Sequence, residues 1–417
     1  MPTSGTNVTI AYIGESTLSH GTTPASPNFT VVRAIGRNIN LKKDAIESAE
    51  VSATRLRSDV RHGFSRVEGE ITVELGMTTY NDFLLWTLGG SSAGNDPTWD
   101  TPVQATQAAH TLSVTGNNTF TRLSGNWIDH GWRRGDWFTT AGFPSSVNNG
   151  TFRVKTVTAT NLTIAQSTSL VNESGDGGET VTYIGSKALI YGLNGSRLKT
   201  FSLERQILDL NAAGDDLYQI FRGCTINSLN ISARPEGLVQ ATFNILGMTG
   251  DINNSATIDT TGGSTPYTAA PTNPPFASVD AEVYTQFNTD APVAASAIDF
   301  TIDNQRSLLP QIGKTTSEDV YEGVAKITGT LSLLHQNTTH VTNFQNETVQ
   351  NMLQVRFKEL GTSQFLAFTF FKVKYTSADI DPPANGAVIA PYGFEALEDT
   401  YNGTSSYKEV MQIQRSV

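Results

Sequence analysis

The chain is expected to be mainly β, built from two tandem β-sandwich or barrel domains, each with a flanking helix, plus a small inserted β-domain. Three observations predict this. Short runs rich in Val, Ile, Thr and Phe lie between turn residues that recur every ten residues or so. Several segments return at a nearly constant shift along the 417 residues. The first copy also carries a long extra stretch with strand and turn signals of its own.

The clearest strand is Arg66 to Leu75, where Val67, Gly69, Ile71, Val73 and Leu75 share one face and Glu68, Glu70, Thr72 and Glu74 the other. Leu238 to Leu246 alternates in the same way, Val239, Ala241, Phe243 and Ile245 opposing Gln240, Thr242 and Asn244. One helix is predicted over Thr78 to Leu88, with a threonine cap, apolar residues at 80, 83, 84, 87 and 88, and Gly89-Gly90 to end it.

The repeat is seen in three matches. Asn38 to Asp44 pairs with Ala297 to Asp303 at a shift of 298 − 39 = 259, Val67 to Val73 with Ile327 to Leu333 at 327 − 67 = 260, and Thr78-Thr79 with Thr338-Thr339 at 260. A second set runs at 368 − 221 = 147 for Phe221 and Phe368, and two longer for Val239 and Val388. The difference, 260 − 147 = 113, measures the insertion. The expected division is a discontinuous first domain at 1–100 and 193–250, an inserted domain at 101–192 placed on the exterior, a Thr-, Gly- and Pro-rich extended linker at 251–276, and a second domain at 277–417. Replacing 101–192 by a short loop is expected to leave the two main domains able to assemble.

Lys and Arg number 28 against 39 Asp and Glu, a net charge of −11, which argues against a protein that holds nucleic acid by neutralising phosphates. Only 16% of residues are charged, and Ser, Thr and Asn are abundant, so the surface is rich in hydroxyls and amides. The single Cys224 excludes an internal disulfide framework and a multi-thiolate zinc site. With no signal-peptide pattern at Met-Pro-Thr-Ser-Gly and no apolar run of membrane-spanning length, the chain is expected to be soluble and made in a cytoplasm.

Catalytic, cofactor and metal sites are not expected. Gly90-Ser91-Ser92-Ala93-Gly94 matches G-x-S-x-G, yet a helix precedes it where a strand is needed. Leu308 stands where a phosphate loop before Gly313-Lys314-Thr315 requires glycine. The six histidines show no short paired spacing, and Pro382-Pro383 break a calcium-like start at Asp379 and Asp381. The Trp127, Trp132, Trp137 cluster with Arg133 and Arg134 reads as packing before it reads as a sugar platform. The basic stretch Arg55, Arg57, Asp59, Arg61, His62 reads either as a solvated loop or as a loop whose guanidiniums pair with carboxylates on a neighbouring subunit.

Arg57 to Ile71, Thr79 to Leu84, Thr200 to Gln206, Phe221 to Leu229 and Pro235 to Gly247 together resemble the tail tube proteins of long, non-contractile-tailed bacteriophages. The resemblance implies tail-tube-type β-sandwich domains that join their neighbours around a lumen, in rings that stack into a conduit for DNA ejection. It implies a virion-tail location with assembly in the host cytoplasm, and partners that are the chain itself and tail proteins such as the tape measure and tail terminator. DNA would pass without specific binding, and no membrane is involved. Two copies per chain imply homotrimeric rings with pseudo-sixfold symmetry. Arg55, Arg57, Asp59, Arg61 and His62 would form an inter-subunit loop, and Glu68, Glu70 and Glu74 would face the lumen. A virion decoration or carbohydrate-binding adhesin is the alternative. An enzyme on a β-scaffold is the third reading, with no carboxylate pair marked out for it.

Overall fold

A computed structural model describes residues 7–16, 20–47, 60–89, 97–165, 169–191, 198–208, 216–260, 267–285, 291–350 and 352–417. The first repeat supplies β1 (Val8–Gly14), β2 (Gly36–Glu47), β3 (Val60–Glu74), helix α1 (Asn81–Leu88), β4 (Phe201–Ile207), β5 (Leu217–Ala233), β6 (Gln240–Gly247) and β7 (Thr249–Asn254). The second supplies β8 (Ala281–Tyr284), β9 (Ala295–Asp303), β10 (Lys326–Leu334), helix α2 (Thr339–Gln345), β11 (Leu353–Lys358), β12 (Phe365–Phe370), β13 (Val373–Ala378), β14 (Ile389–Ala396) and β15 (Ser406–Arg415).

The same sandwich is built twice. One layer runs β2-β3-β6-β5 in the first repeat and β9-β10-β14-β13 in the second; the other runs β1-β4-β5-β7 and β8-β11-β12-β15. All these pairings are antiparallel, and among the described residues no sheet closes into a barrel. The 17-residue β5 serves both layers, its first half lying between β4 and β7 and its second between β6 and β9. It turns from one layer to the other at Gly223, whose φ of +63° suits glycine and where a Cβ would sit 2.6 Å from the Met248 sulfur. In the second repeat this path is cut at Phe371-Lys372 into β12 and β13.

The hairpin registers refine the repeat. Ile39 lies opposite Gly69 and Phe300 opposite Gly329, so β2 and β9 correspond at 300 − 39 = 261, two more than the sequence match. An even difference keeps each side chain on its face. Gly69 and Gly329 share a cause: a Cβ would lie 1.9 Å from the Asn38 carbonyl oxygen at the first and 2.5 Å from that of Asp299 at the second. Neighbouring backbone occupies the space, so only glycine fits.

The two repeats are one body. β5 pairs with β9 from Ser228 opposite Asp303 to Ala233 opposite Ile298, which makes a single eight-stranded layer, β2-β3-β6-β5-β9-β10-β14-β13. Beneath it one apolar core runs through Ile39, Val67, Ile71, Phe243, Leu229, Phe300, Leu331 and Phe394. α1 buries Phe83 to Leu88 in that core, with Trp86 stacked on Phe201 at 5.0 Å. Its start differs from expectation: Tyr80 is the capping residue and no side chain caps it, because Thr78 turns away to donate to Asn273.

Between Ala105 and Tyr183 an eight-stranded sheet folds around its own core of Trp127, Trp132, Phe120, Phe138 and Phe152. Ser186–Tyr191, within the stretch expected as insertion, instead pairs with β15 and widens the outer layer of the second repeat. The insertion therefore leaves the chain in the first repeat and returns through the second. The Thr- and Pro-rich stretch after β6 is bonded throughout its described part to the first repeat: β7 pairs with β5, Phe29 N donates to Asp259, and Phe276 N donates to Leu75.

Candidate assembly surfaces

The open face of the eight-stranded layer follows from alternation. With Val67, Ile71 and Val73 fully buried, β3 must turn Arg66, Glu68, Glu70, Thr72 and Glu74 the other way. Register carries the same face across the sheet through Asn38, Asn40 and Lys42 on β2, Thr242 and Asn244 on β6, Ser228 and Asn230 on β5, Asp299 and Thr301 on β9, and Thr328 and Thr330 on β10. It is a carpet of short hydroxyls and amides with scattered charges. Lys42 and Arg66 hold the Glu68 carboxyl below the usual range, at 2.7 and 2.5 Å, and Arg66 also reaches Asp44 at 2.7 Å. Glu70 and Glu74 share this face with Glu68.

The basic loop is only partly described. Arg55, Arg57 and Asp59 lie outside the described residues. Arg61 and His62 sit in the exposed start of β3, paired with Ile46 and Ala45 in a hairpin that projects beyond the core. The G-x-S-x-G segment also lies outside the described residues. Among the described residues no group of three or more His, Cys, Asp or Glu is placed to hold a metal ion.

The tryptophans of the inserted domain are packing. Trp127 and Trp132 are fully buried, their indole N–H groups donating to the carbonyls of Thr160 and Val103. Trp137 and the neighbouring arginines face the second repeat. Arg133 makes a bidentate pair with Glu409 at 2.7 and 2.7 Å, Arg134 pairs with Asp399, and Gln414 accepts from Trp137 N and donates to its carbonyl. Lys187 reaches Asp136 at 2.9 Å, and Gln412 donates to the same carboxylate at 2.7 Å. Burial pushes Asp136 up and Lys187 down from their ordinary values. The inserted domain is thus fixed to the second repeat by a buried polar interface. Local patterns in the sequence could not show this, since the partners lie more than 200 residues apart.

Four strand edges divide and bound this layer. β5 and β9 meet inside the chain, where Arg234 pairs with Asp299 at 3.1 Å and Asn230 donates to Thr301 at 2.9 Å. β2 and β13 end the same layer on opposite sides, with no further strand on either among the described residues; Gln350 bridges only the first residue of β13, Val373. An unpaired strand edge is normally covered or blunted, because it templates association.

A modular sandwich, doubled within one chain and, among the described residues, without a further strand at either end of its principal sheet, defines a structural β-protein of repeating architecture. The chain belongs to the phage tail tube protein family, which it matches over residues 5–396. No curated protein matches it. It is a structural component of a phage tail.

Proposed function

We propose that three chains close head to tail into a ring of six tube domains, and that stacked rings form the conduit through which DNA is ejected. The observation that carries this reading is the internal junction: the last strand of the first repeat's layer pairs with the first strand of the second repeat's, and among the described residues no strand covers the same two kinds of edge at the ends of the layer. Repetition of that step closes the sheet and removes every edge. Three chains with eight strands each give 3 × 8 = 24 strands, and at about 4.8 Å per strand the circumference is at least ~115 Å, a diameter of ~37 Å between backbones even without tilt. A duplex fits inside.

The core lies on one face of the layer, which leaves the polar face for the lumen. Glu68, Glu70 and Glu74 then meet transiting DNA with hydroxyls, amides and carboxylates in place of phosphate-binding cations, so the duplex slides without sticking. The inserted domain projects outward, and Arg61 and His62, in the exposed start of β3, reach toward a neighbouring ring. Electron microscopy of the purified protein tests the reading. Tubes with three chains per ring and approximate sixfold symmetry are expected; six chains per ring, or monomers only, would overturn it.

A further inference from the structure

We infer that β13 of one chain joins β2 of a second copy in a defined register, through a junction that repeats the internal one with its charges inverted. This rests on the ring reading and adds to it the residues that select the partner. The internal register can be transferred because both strands have exact counterparts. β5 bulges at Asn227 and β13 at Thr376, opposite corresponding strands, so they correspond at 376 − 227 = 149, and β2 and β9 correspond at 261. Ser228 opposite Asp303 then becomes Ser377 opposite Lys42. Leu229 opposite Ile302 becomes Ala378 opposite Leu41, and Ile231 opposite Phe300 becomes Ile380 opposite Ile39.

Two independent features fit that register. Leu229, Ile231, Phe300 and Ile302 are fully buried where the internal junction covers them; at the transferred positions Ile39 is already buried, whereas Leu41, Ala378 and Ile380 are only partly buried against the core. They are the apolar residues a second copy would cover. The charges also match. Inside the chain Arg234 reaches the residue paired two positions before it, Asp299 opposite Ser232. By the same diagonal Asp379 reaches Lys42, the residue opposite Ser377. Asp379 is exposed and Lys42 half-exposed. Inside the chain the basic Arg234 meets the acidic Asp299, and between chains the acidic Asp379 meets the basic Lys42. This polarity disfavours one wrong pairing, since an Asp379 edge placed on β9 would face Asp299 and Asp303.

Charge exchange tests this in the full chain. Asp379→Lys is expected to raise the protein concentration needed for tube formation about tenfold, and Lys42→Glu with Asp379→Lys to bring it back to within about threefold of wild type. Independently, Lys42→Cys with Ser377→Cys should give disulfide-linked two- and three-chain species on a non-reducing gel of oxidised tubes, while Asn38→Cys with Ser377→Cys should stay largely single-chain. Cys224 is fully buried and does not compete. If wild-type protein forms no three-chain rings, the ring reading falls and this inference with it. If rings form but Asp379→Lys assembles like wild type, the paired exchange fails to rescue, or the offset cysteines link as well as the aligned ones, the register is wrong and the ring reading stands.

Discussion

Arg133→Ala removes one half of an ion pair whose side chains are 4% and 0% exposed. Its guanidinium gives two 2.7 Å bonds to Glu409, also donates to the carbonyls of Ile128 and Trp132, and lies over the rings of Tyr401 and Tyr407 at 5.1 and 4.9 Å. The substitution leaves Glu409 buried without a counter-charge, and such a loss costs about 3–5 kcal/mol. The paired replacement Arg133→Met with Glu409→Met removes both charges of this pair and leaves neither partner unpaired, so it should lie within about 1–2 kcal/mol of wild type. Arg222→Ala serves as control: its partner Asp251 is 62% exposed, and loss of that pair should cost under about 1 kcal/mol. Urea unfolding of unassembled protein, followed by tryptophan fluorescence, reads this directly, because three of the five tryptophans lie in the inserted domain. A cost under about 1 kcal/mol for Arg133→Ala, or a double variant no better than the single, would refute the view that this pair locks the inserted domain to the second repeat. The same contacts change what deletion should do. Removing 101–192 would strip Glu409, Gln412 and Gln414 of buried partners and take away the strand beside β15, so assembly should fail; removing 102–184 while keeping that strand, with Glu409→Met, should be milder.

Gly69→Ala should destabilise by about 2–4 kcal/mol, because the new Cβ meets backbone that cannot yield; a melting temperature equal to wild type would be inconsistent with the β2–β3 register. Burial pushes Glu204 up to about 7, above its unfolded value, while it accepts bonds from Thr257 and Ile258 N. The folded state then binds the extra proton, so this group's stabilisation is complete at low pH and is lost as pH rises from about 4.5 through 7. Glu204→Gln should therefore gain stability over wild type across that window by about 1–3 kcal/mol, and a difference that does not grow with pH in thermal melts would count against it. On the ring reading, Glu70→Lys with Glu74→Lys should leave tubes intact yet slow DNA ejection, more so at low salt; unchanged ejection would place those residues away from the lumen.

The strands, the doubling and the family resemblance were legible in the sequence because each is carried by nearby residues or by direct self-comparison. Val67, Ile71 and Val73 announce a half-buried strand by their period alone, and Gly69 recurs at Gly329 since the same backbone crowding excludes a side chain in both copies. By itself the sequence thus determined a doubled, mainly β protein of low charge with Glu68, Glu70 and Glu74 on a single wet face. Tertiary structure alone decided how the copies meet. Pairing of β5 with β9 depends on edge geometry, and edge strands carry no local signature that distinguishes an inner junction from an outer one. The same holds for the insertion, which leaves the first repeat in sequence but docks on the second through Arg133, Asp136 and Trp137. Burial of those polar groups is stabilising only when partners from distant strands satisfy them, and only the folded chain brings those strands together.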